Sequence, residues 1–332
     1  MTQDFFKGRR VLVTGAGGFI GSHLVEALLD QGAQVTALLH YTSSASRGHL
    51  TELSEAQRAQ IQWVHGDITD QEFVRRAVAG HEAVFHLAAL IAIPYSYVAP
   101  RSYLRTNVEG TLNVLEAVRE TGVPRLIHTS TSEVYGSARF VPIDESHPLQ
   151  GQSPYAASKI GADKMVEAYW RSFGTPVVTV RPFNTYGPRQ SARAVIPATI
   201  LQGLWCDKVR LGSMTPVRDM TYVSDTVAGF LAAAATPGLE GQTFNLGTGS
   251  GHAVGDIARL ALQLLGREGD IENDPERHRP AASEVDRLVS SNAAFRAATG
   301  WAPQVGLQEG LERTIAWLRA QGRPVDPGVY AR

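Results

Sequence analysis

The chain has 332 residues, 43% of them hydrophobic, and a formal net charge of −1. That is ample apolar material for one large domain or two intimate ones. A near-neutral balance with no long run of one sign speaks against a nucleic-acid surface. The single cysteine, Cys206, cannot form an intrachain disulfide, which fits a reducing cytoplasm. Met1-Thr2-Gln3-Asp4-Phe5-Phe6-Lys7 has neither a long apolar core nor a basic start, so no signal peptide is expected. Apolar stretches such as 227–235 are too short to span a bilayer, and no membrane association is expected.

In chain order, short β-rich runs alternate with helical patterns. The first strand is expected at 11–14. Thr14-Gly15-Ala16-Gly17-Gly18-Phe19-Ile20-Gly21 follows it and opens a helix with apolar positions at Ile20, Leu24, Ala27 and Leu28. Gly15, Gly18 and Gly21 give a G-x-x-G-x-x-G spacing. Glycine permits the tight turn and lets backbone N–H groups approach a pyrophosphate at the positive helix end. A ligand-free turn is the alternative, but the strand before and the amphipathic helix after favour binding. The second strand, at 35–39, runs into Leu38-Leu39-His40-Tyr41, where an Asp or Glu for an adenosine 2′-hydroxyl is expected and absent. Ser43, Ser44 and Arg47, in the Ser-rich loop 41–48, offer a place for a 2′-phosphate instead. NAD is favoured and NADP is not excluded. The third strand, at 61–64, leads to Gly66-Asp67-Ile68. Asp67 either accepts from the adenine amine or caps a helix.

Further strands are expected at 83–87, 125–129 and 177–181, with a helix through Val108, Leu112, Leu115 and Val118. Loop 136–153 is long enough to cover a site. The βαβα order with apolar strands predicts an α/β fold, a Rossmann-like doubly wound parallel sheet covered on both faces. After Arg181 the pattern changes, with turn formers and arginine at 184–194 and a polar stretch at 266–283. Phe244-Asn245-Leu246 reads as a return to the sheet. The expected division is a dinucleotide-binding domain at 1–182, with a returning segment near 220–250, and a smaller interleaved α/β substrate-binding domain formed mainly by 183–332.

The chemistry gathers at Ser130-Thr131-Ser132-Glu133 and at Tyr155 and Lys159. The two last are four apart at a helix start, which places them on one face. A free phenol has a pKa of ~10, too high for a base at neutral pH. A nearby ammonium and an oxidised nicotinamide both favour the phenolate. Tyr155 then takes a proton from a sugar hydroxyl as hydride leaves for the cofactor. A surface helix pair is the bland alternative; the Rossmann start and the Ser/Thr-bearing strand end outweigh it.

At these residues the chain resembles the extended short-chain dehydrogenase/reductase family, the sugar-nucleotide epimerases and dehydratases. The glycine motif, Asp67, His86-Leu87-Ala88-Ala89, Asn107, Thr131, Tyr155/Lys159, Arg181-Pro182-Phe183-Asn184 and Arg218-Asp219-Met220-Thr221-Tyr222-Val223 all fall in the family's order. The resemblance implies a cofactor site at Gly15, Gly18, Phe19, Ile20, Gly21, Asp67, Ile68, Leu87, Ala88, Ala89, Asn107, Tyr155 and Lys159. It implies that Thr131 hydrogen-bonds the sugar O4. It further implies that Asn184 contacts the substrate and that Arg218 and Arg279 meet the nucleotide diphosphate. It also implies a homodimer through the helices near 108–118 and 155–173.

Relatives that epimerise usually carry a small or apolar residue where Glu133 stands, whereas 4,6-dehydratases carry an acid. Once C4 is a ketone, the C5 hydrogen is acidic enough for a carboxylate to remove. Many such enzymes have an Asp-Glu pair. Here Ser132 takes the Asp position, which leaves Glu133 as base and then, once protonated, as acid. The same motif resembles UDP-glucuronate decarboxylases. Flanking segments, among them Leu90-Ile91-Ala92-Ile93 and Pro188-Arg189-Gln190-Ser191-Ala192-Arg193, look most like 4,6-dehydratases of the legionaminic acid pathway, which act on nucleotide-linked N-acetylglucosamine. Arg189 and Arg193 are candidates for a phosphate or carboxylate. The expected activity is thus sugar-nucleotide 4,6-dehydration. A decarboxylase, a C4 epimerase and a non-catalytic nucleotide sensor are the alternatives.

Overall fold

The structure, a computed structural model, describes residues 4–267 and 271–324. Residues 1–3, the start of the segment read for a leader, lie outside the described residues. β1 (Arg10–Thr14), β2 (Gln34–His40), β3 (Gln62–Gly66), β4 (Ala83–His86), β5 (Leu126–Thr129) and β6 (Val177–Pro182) follow one another with helices between them. β7 (Asn184–Tyr186), β8 (Val209–Leu211) and β9 (Val217–Tyr222) leave the sheet, and β10 (Thr243–Leu246) returns to it beside β6. The seven-stranded sheet runs β10-β6-β5-β4-β1-β2-β3, with every neighbouring pair parallel. The winding reverses between β4 and β1. In open α/β sheets, ligands bind at the carboxyl ends of strands at such a switch point.

Alternate residues of β1 feed two cores. Val11 and Val13 pack with Leu24 and Leu28 of the helix Phe19–Asp30 and with Phe230 of the helix Val223–Ala235. Leu12 packs on the other face with Val74, Val114 and Val166, from the helices Gln71–Val78, Gly110–Thr121 and Pro154–Phe173. Both faces being covered, the inner strands are apolar along their length, as a buried parallel sheet requires. β3, at the edge, is only half-buried.

Local bonding moves three element ends from their expected places. β3 starts at Gln62 because the Ile61 N–H still donates to Arg58 O in the preceding turn, at 3.3 Å. β4 stops at His86, where the Leu87 N–H is shared between the Thr14 carbonyl at 3.3 Å and the Thr14 hydroxyl at 3.2 Å. The helix read through Val108 opens as a wider π-helical turn, Leu104–Glu109, before the regular helix Gly110–Thr121. Such turns frequently lie at functional sites.

β11 (Gly251–Ala253), β12 (Ile271–Asn273) and β13 (Arg287–Leu288) complete a smaller lobe. β9 is at its centre, paired with β7, β11 and β13, while β12 pairs with β8. This lobe stands over the carboxyl ends of β5 and β6, joined to them through β7 and the return of β10.

Gly15 sets the height of the floor at the switch point. Its φ is +68°, and a Cβ there would lie 2.8 Å from Ala88 N and 2.9 Å from Leu87 C, backbone atoms that cannot yield cheaply. A left-handed non-glycine residue costs about 1–2 kcal/mol, and overpacking adds about 1–3 kcal/mol. Gly15→Ala should therefore lower stability by about 2–5 kcal/mol, read as an earlier urea midpoint with an unchanged slope. An unshifted midpoint would contradict this packing.

Candidate active site

The first-helix end is built to receive an anion. Gly18 is the N-cap of the helix Phe19–Asp30, with no side chain capping it and no acid in the first turn. The N–H groups of that turn, at Phe19, Ile20 and Gly21, keep the positive pole of the helix unneutralised. A Cβ at Gly21 would run into Gly15 O, so this backbone stays open only with glycine. The cradle fits a dinucleotide pyrophosphate.

Across the cleft, Thr14 pins the end of β4. Its Oγ1 accepts from the N–H groups of Leu87 (3.2 Å) and Ala88 (3.1 Å). The Thr111 hydroxyl donates to Asn107 O at 2.7 Å and so accepts from His86 Nε2 at 3.0 Å. Nδ1 then carries the lone pair and accepts from the Thr14 hydroxyl at 2.9 Å. Burial, with His128 and Lys159 nearby, holds the His86 pKa well below its usual value, so the ring is neutral. Ala89 continues this half-buried segment.

Of three expected cofactor contacts, Asn107 and Ile68 are buried and Asp67 is exposed. Asn107 is buried, and its amide is fully engaged: Oδ1 accepts from Leu90 N (2.8 Å), and Nδ2 donates to Leu90 O (2.9 Å) and Ser158 Oγ (3.0 Å). It shapes the cleft by holding Leu90 to the tyrosine helix Pro154–Phe173. Asp67 Oδ1 accepts from Thr69 N and Thr69 Oγ1, both at 2.9 Å, and closes a turn. Ile68 is buried beneath it against Gly110. At the end of β2, His40 is exposed and the Arg47 guanidinium lies 4.3 Å over the Trp63 ring.

The reacting groups converge beside β5. Thr131 caps the short turn Ser132–Tyr135, its Oγ1 accepting from Glu133 N at 3.2 Å. The same hydroxyl bonds the Tyr155 phenol. Burial pushes the phenol above its usual pKa; the Thr131 bond pulls the other way. Lys159 Nζ donates to Thr129 O at 2.6 Å, and burial lowers its pKa to about 8. Ser132 is buried, and the Glu133 side chain is 11% exposed.

Of the two arginines assigned to the nucleotide, Arg279 faces this carboxylate and Arg218 pairs with Glu284. Arg279 Nη1 lies 4.0 Å from Glu133 Oε1 and 3.8 Å from Glu284 Oε1; Arg218 Nη2 lies 3.4 Å from the same Glu284 oxygen. Asn184 Oδ1 is buried without a partner, an acceptor waiting for a donor. Arg193 is exposed. Arg189 is unlike its neighbour: it is buried, with Nη1 2.9 Å from Glu26 and Nε 3.6 Å from Glu52. Those carboxylates use its charge to clamp the first helix, so it is not a substrate ligand.

Sequence reasoning missed Tyr103 and Asp163. The Tyr103 ring meets Tyr155 edge-on, centroids 6.2 Å apart, and its hydroxyl donates to Ile91 O and to Ala92 O (2.7 Å). It thereby holds Ala92 at a φ of +67°, a strain that needs such support. Of the apolar segment there, Ile93 packs on Tyr103 and Tyr155, whereas Ile91 is 60% exposed. Asp163 had a readable signal, the repeat of four from Tyr155 through Lys159.

The profile of the family described as GDP-mannose 4,6 dehydratase matches residues 12–314. A dTDP-D-glucose 4,6-dehydratase of Mus musculus is 33% identical over 319 residues, covering 94% of this chain and 89% of its own. A UDP-glucose 4-epimerase of Mycolicibacterium smegmatis is also 33% identical, over 317 residues, covering 93% and 98%. Among solved structures, a dTDP-glucose 4,6-dehydratase from Streptomyces venezuelae with NAD bound superposes with a TM-score of 0.84 at 33% identity, covering 94% and 97%.

Lys159 gives the site a testable electrostatic cost. Its folded pKa of about 8 lies below the ordinary 10.5. Below pH 8 the buried ammonium therefore costs about 3 kcal/mol. Between about 8 and 10.5 the unfolded chain holds a proton that the folded chain has released, so the burden eases as pH rises. Lys159→Met removes it, at a loss of about 1–3 kcal/mol for the orphaned Thr129 carbonyl. The stability of Lys159→Met relative to wild type should then fall by about 3 kcal/mol between pH 7 and pH 10.5. Chemical denaturation at both pH values checks this, and a pH-independent difference would contradict it.

Proposed function

The chain belongs to the GDP-mannose 4,6 dehydratase family, and from that premise we propose that it is an NAD-dependent sugar-nucleotide 4,6-dehydratase. Its substrate is a nucleotide-linked hexose, UDP- or GDP-N-acetylglucosamine, and its product is the 4-keto-6-deoxy sugar. The observation that carries this reading is Glu133. It is a nearly buried carboxylate two residues from Thr131, in the same short turn, facing Arg279. An enzyme that only oxidises and reduces C4 has no use for that group.

Thr131 holds O4, and Tyr155 takes its proton with Lys159 as the compensating charge. The Gly15–Gly21 cradle and Lys159 would hold NAD, which when bound would supply hydride acceptance at C4 and hydride return at C6. Glu133 removes the C5 proton, made acidic by the C4 ketone. The same proton, now on Glu133, goes to the C6 hydroxyl as it leaves, so the departing group is water and a C5=C6 double bond remains. C5 takes a proton from solvent as C6 is reduced, and Tyr155 gives up to solvent the proton it took from O4, so the protons balance. Asn184 and Arg193 line the approach to the sugar. Arg218 takes the diphosphate.

NAD rather than NADP is proposed because Arg47 is already occupied on Trp63. A homodimer is supported by Leu104, Trp170 and Phe173, which lie in or beside the expected interface helices at 56%, 37% and 55% exposure. Among the described residues no helix is long and apolar enough to cross a membrane, and a cytoplasmic location is proposed from the lone cysteine. The epimerase reading has support of its own in the equal identity of the Mycolicibacterium epimerase.

Incubation with UDP- and GDP-N-acetylglucosamine, followed by mass and NMR analysis, tests the reading. The expected product has lost one water and shows a C6 methyl group. A C4-inverted sugar of unchanged mass would replace dehydratase with epimerase, and carbon dioxide release from UDP-glucuronate would replace it with decarboxylase. Glu133→Gln should cut dehydration by about 10²–10⁴-fold, the range for a general base, while a substrate-driven rise in reduced-nicotinamide absorbance survives. Full turnover in that variant would remove Glu133 from the chemistry.

A further inference from the structure

Asp163 lies four residues beyond Lys159 and eight beyond Tyr155 on the helix Pro154–Phe173, so all three share one face. Its residue is 6% exposed. Oδ1 accepts from His128 Nε2 at 3.1 Å. Oδ2 accepts from Ser130 Oγ at 2.8 Å and from Arg181 Nε and Nη2 at 3.1 and 2.9 Å. Arg181 Nη1 donates to the Tyr135 hydroxyl at 2.9 Å, which donates to Asn245 Oδ1 at 2.7 Å. Ser130 immediately precedes Thr131, and Tyr135 ends the turn that carries Glu133. One carboxylate thus joins the ends of β5, β6 and β10 to the tyrosine helix.

An ordinary buried Asp–Arg pair would need only Arg181. Here the carboxylate also takes the strand end and a histidine, and an ammonium stands one turn away. Lys159 shares its helix with Tyr155 and Asp163, His86 and His128 from β4 and β5 lie near enough to act on it, and Arg181 from β6 pairs with Asp163. Burial keeps both histidines below their usual pKa. Asp163 is held down at about 2: His128 and Arg181 outweigh its burial. It is therefore the standing negative charge beside Lys159, while Glu133 faces Tyr155 from the opposite turn.

We propose that Asp163 is a positioning residue for the reaction: it keeps the Lys159 ammonium charged and, through Ser130, Arg181 and Tyr135, fixes Thr131 and Glu133 against Tyr155. This rests on the function proposed above, and its test has a reading that needs no turnover. In the NAD-loaded protein with ¹³C-labelled lysine, the Lys159 titration followed by NMR should move down by about one pH unit in Asp163→Asn. In Asp163→Glu, which keeps the charge, it should stay near the wild-type value. In turnover, the alkaline limb of kcat should move down with it, with KM for the nucleotide sugar within twofold. Ser130→Ala should lower kcat about tenfold with the alkaline limb unmoved. An unshifted Lys159 titration in Asp163→Asn overturns the proposal even if the enzyme dehydrates sugars. A shifted titration with no dehydration upholds the charge role and instead overturns the proposed function. Should Asp163→Asn not fold, Ser130→Ala decides: an unchanged kcat overturns the proposal, and a fall in kcat at constant KM supports it.

Discussion

A charged lysine one turn from the phenol proposed as catalytic is expensive to bury, and much of this site is arranged around that cost. Lys159 gains a backbone carbonyl from the end of β5 and a carboxylate one turn along its own helix. That carboxylate needs donors in turn, and the Arg181 guanidinium and the His128 N–H provide them. Buried charges persist only when paired and hydrogen-bonded. Satisfying Lys159 therefore ties together the strands that deliver Thr131, the turn that delivers Glu133, and the return strand β10.

The second lobe adds charge of a different kind. Arg218 and Arg279 share one Glu284 oxygen, and Arg279 also faces Glu133. Two guanidinium groups thus meet two carboxylates, Glu284 and Glu133, on the side where the proposed function places the diphosphate. The proposed base thus works between a cationic wall on one side and an uncharged phenol on the other. The Arg279 guanidinium, 4.0 Å away, faces the carboxylate proposed to take the C5 proton.

Much of the framework was legible because local signals and tertiary structure agree. The six early strands, the glycine turn and the return at Phe244-Asn245-Leu246 each carry their own period or turn chemistry. That Tyr155 and Lys159 lie on one face of a helix could be read from their spacing. What was not legible depends on partners far away in sequence. Arg189 looks like an anion ligand until Glu26 and Glu52 are seen beside it. Asn107 looks like a cofactor contact until Leu90 and Ser158 use up its amide. Arg279 could be assigned to the diphosphate from motif order, but its distance to Glu133 has no local trace. Asp163 stands between these cases: its place on the helix face could be read, its four bonds could not.

The central claim is that C4 oxidation feeds an elimination at C5 and C6 within one active site. A nucleotide sugar carrying deuterium at C4 tests it most directly. The account predicts that the label moves to the C6 methyl of the same sugar, with one water lost and a solvent proton at C5. Label retained at C4 of a full-mass product, with the configuration there inverted, would contradict it.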